Sequence, residues 1–412
     1  MHMPKSKFFL PLNHISIFLL TFALSRIALL AILIGVTHGR EISNDIGMHI
    51  YMIQNPLCIL QFSCPQYDQY PPLLPIFETL IGMPASLILP PMAIVRSVMM
   101  SYEAIAGVAF FQIATLTIRD ANWRALILAQ FILMPMMFMT STIMGANSMI
   151  GGALILIGAY YAIQSQARLS AFILGLGTVA GKQFLVLPLA VAALFPNRGT
   201  VVSRLIAASI PIVLIFGGLT VWRILHAQAV PLIGFKPDPY FGTNFWVALR
   251  TLYGIDISNY GTISGVIALS TALIPIVLGY RKTIGPSRRD AVLMSMAASL
   301  ILFFSFFYHV NPDYFVMCVP LLILVSRTTV DVILVWLVGV TPWIGKFFQL
   351  LVFKNNVGNE AVGGKALILN ALSPKFMDYA TDILITNQLL FSALTILVGA
   401  LLCARIAKLK PE

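Results

Sequence analysis

Apolar runs of roughly 17 to 25 residues return along the whole chain, long enough to cross a ~30 Å hydrocarbon layer as helix. They lack the strict alternation of a lipid-facing barrel strand, so the class they allow is helical. Composition agrees. Of 412 residues, 59% are hydrophobic and only 10% are charged, against about 25% charged in soluble domains, and the mean hydropathy is +0.90. The sequence is read as an all-α polytopic membrane protein, one domain over residues 1–412 with no repeat or separable soluble unit.

Twelve apolar segments are expected to cross the membrane: 15–36, 97–117, 123–144, 149–165, 169–182, 184–196, 205–222, 263–280, 290–308, 314–326, 330–345 and 383–404. The stretch 71–94 is set apart by Pro71, Pro72, Pro75, Pro84, Pro90 and Pro91, because each proline deletes a backbone donor and distorts a helix. It is expected to be re-entrant or interfacial within the first outer loop.

Charge sidedness tests that choice, since basic residues collect on the cytoplasmic side. If 71–94 does not cross, then Lys5, Lys7, Arg119, Arg124, Arg168, Arg198, Arg204, Arg281, Lys282, Arg288, Arg289, Arg327, Arg405, Lys408 and Lys410 all share one side. Both termini are then cytoplasmic, and three longer loops lie outside, 37–96, 223–262 and 346–382. The net charge of +11 becomes a topology signal. Nucleic acid is not an expected partner, because no soluble face gathers basic and aromatic side chains. Residues 15–36, followed by Arg40 and Glu41, read as a retained first helix without a cleavage site. The aromatics between Trp222 and Tyr260 are first of all interfacial anchors, with contact to a lipid or sugar as the other reading.

Cys318 and Cys403 fall in apolar spans, whereas Cys58 and Cys64 share the first outer loop. An oxidising compartment leaves that pair either bridged, pinning the loop, or free. Neither pair has the company a zinc site needs.

Ionisable and strongly polar groups are scarce, and those that land at the outer ends of spans are Asp45, His49, Asp68, Tyr70, Glu78, Arg96, Asn147, Lys182, His309, Asp313 and Tyr314. A cleft lined by one carboxylate and several cations suits a reaction between a polar acceptor and a lipid-linked phosphate donor. A phosphate leaving group needs positive charge around it. The acceptor hydroxyl, with its very high pKa, needs a positioned base. Asp45 is the expected base, with Lys182, His309 and Arg96 near the phosphate. His49, Asp68, Tyr70, Glu78 and Asn147 are expected to position the loop or the acceptor. The scheme asks for no metal and no other cofactor.

Ser43-Asn44-Asp45 with His49, followed by Tyr70-Pro71-Pro72-Leu73 and Phe77-Glu78, resembles the first outer loop of the GT-C superfamily, the polyprenyl-phosphate-sugar-dependent glycosyltransferases. The branch it is most similar to is the dolichyl-phosphate-glucose-dependent glucosyltransferases of N-glycan precursor assembly. Gly145-Ala146-Asn147-Ser148, Gly181-Lys182-Gln183 with Pro188, Tyr308-His309-Val310 and Asn244-Phe245-Trp246 match further elements of that branch in order. The resemblance implies a GT-C fold of about a dozen helices, Asp45 as general base, inversion at the anomeric carbon, and donor phosphate near Lys182 and His309. It departs at Gln69, where the branch has an acid, and at Asn311-Pro312-Asp313, which replaces His-Glu-Lys.

The expected activity is transfer of a hexose, glucose or mannose, from a polyprenyl- or dolichyl-phosphate donor to a glycan or lipid-linked acceptor on the extracytoplasmic or lumenal side. Donor, acceptor and membrane lipids are the expected partners. Two other classes stand beside it: a secondary transporter or flippase, against which no interrupted helices pair between two halves, and a non-catalytic scaffold of the same fold. The absence of an Asn-x-Ser/Thr sequon and the short chain favour a prokaryotic plasma membrane over the endoplasmic reticulum.

Overall fold

The computed structural model describes residues 12–40, 46–61, 63–64, 71–195, 200–226, 243–255, 260–282, 287–352, 370–371 and 374–409. Among them the regular structure is entirely helical, and the protein is a helical multi-pass membrane protein. Eight helices are long and apolar enough to cross a membrane, and four shorter apolar helices, Ser148–Ile163, Ala167–Ala180, Gln183–Leu194 and Pro312–Val325, pack with them. The eight and the four coincide in order with the twelve apolar segments of the sequence.

Helix α1 (Leu12–Thr37) leads into three short helices, α2 (Ile46–Gln54), α3 (Cys58–Gln61) and α4 (Leu74–Ser86). At 13 residues α4 reaches roughly 20 Å, short of the hydrocarbon thickness. It packs on α2 and on α5 (Pro91–Thr117), and ends at an apolar tip where Leu87 and Ile88 are 85% and 82% exposed. The non-crossing segment expected over 71–94 is therefore a helix only to Ser86. Its last residues belong to α5, which starts six residues before the expected 97. Pro90 is extended and Pro91 opens the helix, where its missing N–H costs nothing and its fixed φ is already helical.

The chain continues through α6 (Ala121–Leu133), α7 (Pro135–Phe138) and a π-helix at Met139–Ile143. Then come α8 (Ser148–Ile163), α9 (Ala167–Ala180), a short 3-10 turn and α10 (Val186–Leu194). Next are α11 (Val201–Ile212), a second π-helix and α12 (Gly218–Leu225). The second half holds α13 (Phe245–Tyr253), α14 (Gly261–Tyr280), α15 (Arg288–Phe306), a 3-10 turn at Pro312–Met317, α16 (Val319–Val325), α17 (Thr329–Val352) and α18 (Ala380–Lys408). Helix α17 runs past the expected end at 345, so Lys346 is a helical residue and not part of a loop. Helix α13 lies inside the expected loop 223–262.

Buried side chains of α5, α8, α15 and α16 form the centre of the main core, with Phe110, Ile150, Phe304 and Leu321 fully buried. Apart from the buried Arg26–Glu103 pair, the polar contacts that bear on the site lie at the two ends of this bundle. At one end, arginines tie helix termini together: Arg288 donates to Ser165 Oγ and Ala162 O, Arg289 to Leu116 O, and Arg327 pairs with Asp290 at 2.8 Å. Arg405 meets Asp331 there at 2.6 Å, and Arg204 donates to Ala193 O. The opposite end carries α2 to α4, the turns after the first π-helix and after α9, and the 307–313 linker.

Candidate functional site

The end away from the arginines is built from four segments, each held by its own physical reason. On α2, His49 Nδ1 stands 2.9 Å from Glu78 Oε1 of α4, both buried. Two groups of opposite tendency so placed clamp α2 to α4. Leu73 N–H donates to Val179 O at 3.0 Å, which fastens the start of α4 to the last turn of α9. Cys58 and Cys64 are bridged, their Cα atoms 4.9 Å apart. With Met52 and Ile59 they form a small buried cluster against Leu219 of α12. Trp222 Nε1 donates to Leu60 O at 3.2 Å from the same helix.

The second segment is the turn Gly145-Ala146-Asn147-Ser148. Gly145 has φ +62, a left-handed conformation that costs other residues about 1–2 kcal/mol. A Cβ there would stand 3.3 Å from Ile46 Cδ1 and 3.5 Å from Arg96 Cγ. The turn thus lies directly on the first residue of α2. Arg96 is fully buried on α5 and its Nε and Nη2 donate to Ile143 O at 3.2 and 3.0 Å. Ser148 Oγ, at the far end of the turn, donates to the Asp313 carboxylate.

The third segment is the break between α9 and α10. Gly181 packs so closely on α8 that a Cβ would be 2.8 Å from Gly151 Cα. Lys182 follows in extended conformation, its Nζ 5.0 Å over the Tyr314 ring. Phe184 then sits among Phe304, Phe307 and Tyr314 with ring centroids 5.3 to 5.9 Å apart, which locks the break against the fourth segment, the 307–313 linker. Asn244 Nδ2 donates to Phe304 O and Phe307 O, Thr243 Oγ1 to Val310 O, and Tyr308 N–H to Ser264 Oγ. With its backbone so occupied, the linker holds His309 and Asp313 at this end.

Burial pushes the His309 imidazole down to about 4, and the Lys182 and Lys346 cations push in the same direction. The ring is therefore neutral near pH 7. Burial raises the Asp313 carboxyl above its usual range, while the same two lysines and the Ser148 bond pull it down, so two cations, a carboxyl group, a serine and a neutral histidine share one neighbourhood. Among the described residues no cluster of three or more His, Cys, Asp or Glu side chains could hold a metal ion.

The chain matches no protein-family model and no curated protein sequence.

Of the residues singled out in the sequence, Lys182, His309 and Asp313 come together, with Asn147 on the turn that joins Asp313 to α2. His49 and Glu78 pair with each other one layer away. Arg96 braces the turn from beneath. Asp45, Asp68 and Tyr70 lie outside the described residues; Asp45 directly precedes the buried Ile46. Two features were missed. The apolar run ends at 345, which puts Lys346 in a loop by sequence, whereas the helix Thr329–Val352 contains it. Arg26 and Glu103, 1% and 0% exposed, form a bidentate pair inside the membrane span. A lone arginine in one apolar run and a lone glutamate in another were a legible sign, since neither is tolerated in lipid without a partner.

Proposed function

We propose that this protein is a membrane glycosyltransferase of GT-C type with twelve crossing helices. It moves a hexose, glucose or mannose, from a polyprenyl-phosphate donor to a hydroxyl of a glycan or lipid-linked acceptor, with inversion, on the extracytoplasmic side. The observation that carries the reading is the gathering of Lys182, His309 and the Gly145–Ser148 turn at the end of the bundle where α2 begins, one residue after Asp45. The arginine-rich opposite end supports a cytoplasmic assignment for that side.

In this mechanism the Asp45 carboxylate takes the proton of the acceptor hydroxyl as its oxygen attacks the anomeric carbon. The carbon–oxygen bond to phosphate breaks, and its electron pair leaves on polyprenyl phosphate. Lys182 balances the growing charge. His309, neutral, donates one hydrogen bond to a phosphate oxygen without adding charge. No proton has to reach the leaving group, because a phosphate anion is stable at neutral pH.

The test uses the protein in liposomes with undecaprenyl-phosphate glucose or undecaprenyl-phosphate mannose, an oligosaccharide or lipid-linked acceptor, and detection of released undecaprenyl phosphate. Asp45→Asn is expected to lower release about a hundredfold or more, as loss of a general base does. Release at the wild-type rate in the variant would remove Asp45 from this role.

A further inference from the structure

The π-helix at Met139–Ile143 is the least expected backbone in the first half of the protein. Its wide turn closes with Met144 N–H donating to Met139 O at 2.9 Å, and Ala146 N–H donates to Thr140 O at 2.8 Å. A π-turn holds one more residue than an α-turn, so the choice between the two rotates every following residue by about 100°. That choice decides where Gly145 and Ser148 point.

Helix α5 grips the wide turn twice. Glu103 accepts a hydrogen bond from Ser141 Oγ, inside the turn, and Arg96, on the same helix, donates to Ile143 O at its end. Glu103 is itself fixed by Arg26 of α1, whose Nε lies 3.1 and 3.0 Å from its two oxygens and whose Nη1 donates to Ile132 O at 2.8 Å. Phe22 stacks beneath that guanidinium at 4.8 Å. A carboxylate held rigidly in a dry span, with one of its bonds spent on a serine hydroxyl, is a costly way to fasten two helices. It is an effective way to fix a helical register.

We infer that Arg26, Glu103 and Ser141 are positioning residues: they hold the wide turn in register and so set the Gly145–Ser148 turn between Ile46, beside the proposed base, and Asp313, beside Lys182 and His309. The role in catalysis rests on the transferase reading above; the control of register does not.

The test compares wild type in nanodiscs with two variants. Arg26→Met combined with Glu103→Leu removes both charges together and leaves no orphan ion, a change that buried pairs often tolerate without loss of stability. Ser141→Ala removes a single hydroxyl and carries the test where the double replacement does not fold. Amide exchange over residues 139–148 is expected to rise about tenfold in both, with α15 unchanged. With undecaprenyl-phosphate glucose or mannose as donor, kcat is expected to fall about a hundredfold, as small misplacements of reacting groups do. KM is expected to stay within about threefold, since none of the three residues need touch substrate. Wild-type exchange over 139–148 together with wild-type kcat, in a folded variant, overturns the inference. Raised exchange in a protein whose wild type releases no undecaprenyl phosphate from either donor supports the register role and sinks the transferase reading instead.

Discussion

His309 links the linker's packing to solution pH. Its ordinary value near 6.5 is moved to about 4 by burial and by Lys182 and Lys346. Between those two values the unfolded chain takes up a proton that the folded protein refuses. Stability contributed at this residue is therefore complete above about pH 6.5 and is lost as pH falls towards 4, up to about 3 kcal/mol. Thermal unfolding in detergent at pH 7 and at pH 4.5 is expected to show a larger acid loss for wild type than for His309→Gln. Equal losses would mean that the imidazole is solvated. At this scale the sequence was partly readable. Lys182 and His309 stood out because a polar residue between apolar runs has few innocent explanations. The Ser148–Asp313 bond did not, because the two residues are 165 positions apart and nothing local to either announces the other. Arg96 is expected near the phosphate from sequence alone; only the path of α5 shows that its guanidinium also donates to the Ile143 carbonyl.

Among the elements, the α2–α4 segment is the one whose character was clearest from composition. Six prolines within 71–94 ruled out an ordinary span, and the structure gives a short helix, a turn and the first residues of α5 in their place. Its packing was not readable, because the His49–Glu78 contact joins two separate helices and the Leu73–Val179 hydrogen bond depends on α9. The Cys58–Cys64 bridge closes a short loop, which in the chain-entropy account is worth about 2 kcal/mol. Replacing both cysteines by serine is expected to hasten protease cutting within residues 46–86 while leaving the spans intact. Cutting at the wild-type rate would assign the stability of this segment to the Leu219 and Trp222 contacts alone. The π-helices were invisible to hydropathy, since an extra residue in one turn leaves the run of apolar residues unbroken.

For the whole molecule, order and hydropathy were enough to find each long helix among the described residues, with errors at the ends where prolines and helix extensions decide. Arg119, Arg124, Arg168, Arg204, Arg288, Arg289, Arg327 and Arg405 all belong to the end opposite α2. Single cysteines at Gly254 and at Lys282, introduced into a Cys403→Ser background, are expected to react from opposite sides with a membrane-impermeant maleimide in sealed vesicles, Lys282 from the cytoplasmic side. Labelling of both from one side would discard the topology and with it the side assigned to the site.

The spans differ greatly in how much protein surrounds them: the most apolar stretch of Val201–Trp222 is only 11% buried, and that of Arg288–Phe306 is 78% buried. The first has almost everything it needs from lipid and can settle in the bilayer as soon as it leaves the ribosome. The second, which leads directly to His309, finds most of its neighbours only once helices from both halves of the chain have been made. Biogenesis of this protein should then be late to complete at the very place where its chemistry is proposed, so a truncated nascent chain inserts well before it can work.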